Sequence, residues 1–215
     1  MLVAFMSDIH GNLPALKAGV AHAKASGAAG ITCAGDLTGY GPFPNEVCDF
    51  LAENGIAAIS GNYDTRVLDV VKHGPSSVSD MQKKKRDVLV WTAKHIGKAS
   101  RRFLAGLPGS IEQELPEKRK LLIVHGSPVS NDDPIYPSIT ARGLESKLGS
   151  EPPDILVCGH THIPFVKRVG GVLVINCGSV GHPVDGDPRP SYAILTIDEK
   201  GARGSIVRFG YDVDT

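Results

Sequence analysis

Seven side chains of the kinds that bind transition metals fall in five short stretches of this chain. The stretches are Asp8-Ile9-His10, Gly35-Asp36, Gly61-Asn62-Tyr63-Asp64, His125-Gly126 and Gly159-His160-Thr161-His162. Together they offer two aspartates, one asparagine and four histidines as ligands. That is enough oxygen and nitrogen for two divalent ions with one carboxylate bridging them. Imidazoles and an amide oxygen suit manganese, iron or zinc better than calcium or magnesium. Ions held about 3.5–4 Å apart are suited to the attack of water on phosphorus, because a shared water is deprotonated near neutral pH. The chemistry expected is hydrolysis of a phosphate ester.

Elements that end in the right places must position these groups. Leu2–Met6, Ile31–Cys33, Ala57–Ile59, Leu121–Val124 and Ile155–Cys158 are short apolar runs that read as strands. Asp8 and His10 follow the first, Asp36 the second, Asn62 the third, His125 the fourth and His160 the fifth. Parallel sheets bind ligands just beyond the carboxyl ends of their strands. Five strand ends thus converge on one crevice, and their agreement outweighs any single motif. Alone, Asp8 or Asn62 reads equally well as a cap or turn residue, and His125 as a buried core histidine.

Between the first strands the pattern is helical. Asn12 caps a helix with Pro14 in its first turn and Leu13, Leu16 and Val20 on one face. Asn45–Asn54 reads as a second helix. Such alternation predicts a parallel sheet with right-handed crossovers. From Asp64 to about Gly106 the chain reads as a helical insertion beside the sheet, with Lys83-Lys84-Lys85-Arg86 as a solvated face. From Ile111 it turns strand-rich. Gly170-Gly171 joins Phe165–Val169 to Leu173–Asn176, and Glu199-Lys200-Gly201 joins Tyr192–Ile197 to Ile206–Tyr211. One domain over residues 1–215, with two mixed sheets flanked by helices, is the simplest arrangement.

Lys plus Arg equals Asp plus Glu at 23 each, which argues against a nucleic-acid partner or an anionic membrane surface. Cys33, Cys48, Cys158 and Cys177 make no metal-knuckle spacing and read as buried thiols. No run reaches membrane-spanning length, and Met1–Met6 lacks the form of a signal peptide, so the expected location is the cytoplasm.

The ordered set Asp-x-His, Gly-Asp, Gly-Asn-x-Asp, His-Gly, Gly-His-Thr-His resembles the calcineurin-like metallophosphoesterases over essentially the whole chain. The likeness extends to Ser7–Leu16, Gly35–Pro42 and Gly178–Gly181. It is nearest to the small bacterial and archaeal phosphodiesterases related to diadenosine tetraphosphatases. The resemblance implies a four-layer α/β/β/α sandwich and two divalent transition-metal ions, manganese ahead of iron or zinc. One ion falls to Asp8, His10, Asp36 and His162. The other falls to Asp36, Asn62, His125 and His160, with Asp36 bridging. The implied catalytic set is Asp36, Asn62, Tyr63 and Asp64.

Tyr63 departs from the pattern, since many relatives carry there a histidine proposed to protonate the leaving group. A phenol with a reference pKa near 10 is a poor acid at neutral pH. Asp64, which would orient that histidine, is left to cap the following helix. The substitution leans toward a small diester substrate. A phosphomonoesterase, including a phosphoprotein or dinucleoside-tetraphosphate phosphatase, is the alternative, and a non-catalytic scaffold the remote one. Tyr40, Arg66, His182 and Arg189 are candidate substrate contacts, the arginines because guanidinium grips phosphate through two bonds. His22 and His95 read as structural, and the oligomeric state is left open.

Overall fold

The computed structural model describes residues 1–213. Ten strands make two five-stranded sheets. The first runs in the order β10 (Gly201–Arg208), β9 (Ser191–Asp198), β1 (Leu2–Met6), β2 (Gly30–Cys33), β3 (Ala57–Ala58). The second runs β4 (Ser110–Leu115), β5 (Arg119–Val124), β6 (Ile155–Cys158), β8 (Val172–Asn176), β7 (Phe165–Val169). Each is mixed. The β1–β2–β3 and β5–β6–β8 ladders are parallel, whereas β9, β10, β4 and β7 pair antiparallel.

Alternation along the strands assigns the layers, because successive side chains point to opposite faces. Phe5, Ala193 and Leu195 meet Ile123, Val157 and Ile175 between the sheets. Ala4, Met6 and Cys33 face the other way, onto helices. On the far side of the second sheet, Leu156, Cys158 and Val174 pack with Leu144 of a helix. The result is a four-layer α/β/β/α sandwich.

The first helical layer comprises α1 (Leu13–Ala25), α2 (Pro44–Glu53), α3 (Asn62–His73), α4 (Lys83–His95) and α5 (Lys98–Ala105). Asn12 caps α1 by accepting from the Ala15 N–H at 3.1 Å. Val67, Leu89, Ala93 and Leu104 of α3, α4 and α5 share one apolar cluster with Leu16 of α1 and Leu51 of α2. The helices after Asp64 therefore help cover the first sheet. On the opposite face lies α6 (Ala141–Leu148), capped by Thr140. Its sequence carries Gly143 and only two leucines, too weak a periodic signal to announce a helix. All four cysteines are free and buried.

Candidate active site

The ends of β1, β2 and β3 from one sheet, and of β5 and β6 from the other, open into one crevice of about 630 Å³. Asp36, Asn62, Tyr63, His160 and His162 line it. Asp8, His10 and His125 are buried beneath its floor. Donor atoms of Asp8, His10 and His162 lie within 4.8 Å of one another, as do those of Asp8, Asp36 and His125. The Oδ2 of Asp36 is 3.7 Å from His10 Nε2 and 3.4 Å from His125 Nε2. The Oδ1 of Asn62 lies 3.0 Å from His125 Nε2 and 3.1 Å from His160 Nδ1. All seven predicted ligands are therefore brought together.

Three observations fit this set to divalent ions. Asp8 Oδ1 is buried with no hydrogen-bond partner, a costly state for a carboxylate that no ligand satisfies. His10 Nε2 and His162 Nε2 approach to 3.1 Å. The other nitrogen of each ring faces a backbone carbonyl, Thr38 O and His182 O, and must donate to it. The two Nε2 lone pairs of the neutral rings thus point at the same space, as ligands of one ion do. His125 Nδ1 likewise donates to Ala34 O at 2.8 Å. Such outer bonds fix tautomer and ring orientation in metal sites.

The backbone is bent to the same end. Asp8, His10, Asp36, His160 and His162 all have φ between 50° and 65°. Left-handed conformations are disfavoured for residues with a Cβ and gather at functional sites. Five of seven candidate ligands adopt one, which turns each side chain sharply out of its strand direction.

Electrostatics sort the ionisable groups. Burial opposes charge on His125, but Asp36, directly and by hydrogen bond, and Asp8 outweigh it and push the ring up to about 10. For His10 burial dominates and takes it down to about 4, against the pull of Asp36. Asp8 and Asp36 lie below the usual range, because the neighbouring histidines outweigh burial. An ion held by His125 would therefore have to expel a proton from it below about pH 10. Manganese affinity is expected to rise about tenfold per pH unit between pH 6.5 and 8.5, since proton and ion compete for one nitrogen. Calorimetric titration across that range checks this, and a flat profile would exclude it.

Asp64 is placed differently from a catalytic group. It is fully buried and accepts from the N–H groups of Gly61, Leu37 and Thr38 at 3.0–3.1 Å and from the Thr38 hydroxyl at 2.9 Å. Through the Gly61 N–H it caps the start of α3 and clamps the Asp36 loop to the Asn62 turn, with its carboxylate turned away from the crevice. Burial first, then Asp36, pushes it up to about 6 against those bonds. Asp64→Ala leaves three buried N–H groups without their acceptor and should cost about 3 kcal/mol or more. Urea unfolding of the metal-free proteins measures it, and a loss under about 1 kcal/mol would refute the clamp.

The four candidate substrate contacts divide. Tyr40, Arg66 and His182 line the crevice. Arg66 is held by Asp132 at 2.8 Å. Arg189 does not line the crevice. It turns back onto Asp187, two residues away, at 2.7 Å, an ion pair that the intervening Pro188 keeps local. The basic run is mostly solvated, but Lys85 lines the crevice, with Met81, Tyr136 and Val184 on the same wall. Asn176 was also not legible as a site residue. It is buried, donates to Gly159 O at 2.8 Å and Thr161 Oγ1 at 3.1 Å, and so holds the His160–His162 turn.

The profile of the calcineurin-like phosphoesterase superfamily domain matches residues 1–200. The chain belongs to that superfamily. It is accordingly a metal-dependent phosphoric ester hydrolase. An uncharacterized protein of Methanocaldococcus jannaschii is 33% identical across 99% of this phosphoesterase and 88% of its own length. Phosphodiesterase YfcE of Escherichia coli is 28% identical across 92% of this chain and 89% of its own. Among solved structures, a metallophosphoesterase of Sphaerobacter thermophilus matches with a TM-score of 0.76 and 27% identity, covering all of this chain and 90% of that one. A hypothetical protein of Pyrococcus horikoshii shares the fold at a TM-score of 0.83 and 23% identity, covering 99% and 89%.

Proposed function

We propose that this phosphoesterase is a cytoplasmic phosphodiesterase of small diesters, working with two divalent transition-metal ions, manganese first among them. The observation that carries the two-ion reading is Asp36, whose Oδ2 stands between His10 on one side and His125 on the other. On this reading Asp8, His10, Asp36 and His162 hold one ion, and Asp36, Asn62, His125 and His160 the other. When bound, the ions activate the attacking water and stabilise charge on the phosphoryl oxygens. The chain's own residues supply position. Asp36 Oδ1 accepts from the Tyr63 N–H at 2.7 Å, so the turn carrying Asn62 is set against the bridging carboxylate.

Tyr63 supports the diester preference. Burial and the Tyr40 hydroxyl raise its phenol above an already high ordinary value. A weak acid leaves the leaving group to depart as an anion. The likeness to phosphodiesterase YfcE points the same way.

The test is hydrolysis of bis-p-nitrophenyl phosphate beside p-nitrophenyl phosphate by metal-stripped protein re-supplied with manganese. Diester cleavage exceeding monoester cleavage upholds the reading. The reverse preference replaces it with a phosphomonoesterase, and no turnover by manganese-loaded protein refutes it.

A further inference from the structure

The hydroxyls of Tyr40 and Tyr63 meet at 2.5 Å, and both residues line the crevice with the candidate ligands. The contact is tightly prepared. The Tyr40 ring stacks on the His182 ring, with centroids 4.4 Å apart and planes at 18°. The rings of Tyr40 and Tyr63 each meet His10 edge-on, at 4.9 and 5.1 Å. Gly39, at φ 119°, closes the other side, since a Cβ there would stand 2.8 Å from the Tyr63 ring.

Two phenols carry two protons, and their mutual bond uses one. Among the described residues no other group bonds either oxygen. One O–H therefore stays free, beside the ligand His10 and on a wall of the crevice. We propose that Tyr40 and Tyr63 act as one unit that donates this hydrogen bond to the leaving-group oxygen of the bound diester, a proposal that rests on the phosphodiesterase reading. The choice of oxygen follows from charge. Bound ions would serve the nonbridging oxygens, the retained ester oxygen stays neutral, and only the leaving oxygen gains charge as its bond to phosphorus breaks. A donor aimed there is worth more in the transition state than in the ground state. The bond that forms is P–O to the oxygen of the attacking water, whose proton passes to solvent; the bond that breaks is P–O to the leaving alcohol, and the departing anion takes a proton from water once released. Neither tyrosine need ionise.

The experiment compares Tyr40→Phe, Tyr63→Phe and the double variant with the wild-type protein, all manganese-loaded. The substrates are methyl p-nitrophenyl phosphate and methyl phenyl phosphate, whose leaving phenolate is the more basic. Each single variant should lose about tenfold in kcat on the phenyl ester and about twofold or less on the nitrophenyl ester, the scale of one lost neutral donor. The double variant should be slower than either single one, but by less than the product of their losses, because each single variant keeps one phenolic O–H and the pair acts together. Manganese content should be unchanged. Equal losses on both esters, additive losses, no loss, or manganese released by either substitution each overturns the pair's role. A wild-type protein that cleaves neither ester refutes the diesterase reading, and the pair with it.

Discussion

Asp36→Asn protein is expected to fold and to lose about a thousandfold or more of its manganese-dependent hydrolysis. The side chain sits with Oδ2 toward His10 and His125 and Oδ1 on the Tyr63 N–H. Asparagine keeps an oxygen for that N–H, so the turn into α3 survives. It removes the negative charge that the two-ion reading asks to serve both ions. Losing about 4 kcal/mol of charge stabilisation corresponds to about three orders of magnitude in rate. Stability in the absence of metal should fall, because the attraction of His125 and His10 for the Asp36 carboxylate outweighs its repulsion from Asp8 and is lost with the charge. Metal analysis, circular dichroism and diester turnover together separate these effects. Turnover within about tenfold of wild type would remove Asp36 from the bridging position.

The second large effect is expected from one methyl group. A Cβ at Gly159 would lie 1.9 Å from Ser7 Oγ and 2.5 Å from Asp8 Oδ2. Neither neighbour has room to retreat. Ser7 and Asp8 are wholly buried, Ser7 donates to Ala34 O, and Asp8 Oδ2 accepts from the His160 N–H. Overfilling a close-packed site usually costs about 1–3 kcal/mol, and more where backbone must move. Here the displaced atoms belong to Asp8 and to the strand that carries it. Gly159→Ala should therefore destabilise by about 3 kcal/mol and weaken manganese binding by at least about tenfold. Gly109→Ala is the control, since nothing lies within 4 Å of its added carbon and its backbone is unstrained. It should change stability by under about 0.5 kcal/mol. Equal behaviour of the two variants would show that the packing at Gly159 gives way.

The gathering of the candidate ligands was legible because its signal is redundant. Each stretch joins a metal-binding residue to the end of an apolar run, and five such ends in a parallel arrangement can only point one way. Layers were legible for the same reason, as in Phe5 against Met6, whose alternate burial follows from the strand period alone. What escaped depends on contacts that spacing does not encode. Asp64 reads as a helix cap from its place after Gly61, but its further bonds to the Leu37 and Thr38 N–H groups are seen only in the fold. Arg189 looks like a phosphate grip, yet Asp187 two residues earlier already holds it. Asn176 ends an ordinary strand, and only the fold brings the His160 turn against it. The left-handed backbone at Asp8, His10, Asp36, His160 and His162 is only weakly marked by residue type, since Asp and His enter that region more often than other residues with a Cβ but still seldom. Helix α6 is short, interrupted by Gly143, and gains its burial from the second sheet through Leu144.

The division of ligands between the sheets has a bearing on synthesis. Asp8, His10, Asp36 and Asn62 come from the first sheet, and His125, His160 and His162 from the second. On the two-ion reading a nascent chain therefore carries an open half-socket until residue 162 has left the ribosome, and its first sheet is incomplete until β9 and β10 follow. Ion capture then ties together two halves separated by the 62 residues from Tyr63 to Val124, much as a late cross-link closes a long loop. Any ion favouring the closed form stabilises it by mass action, so on that reading the supply of metal during translation would add to the apolar layer between the sheets in retaining the docked state.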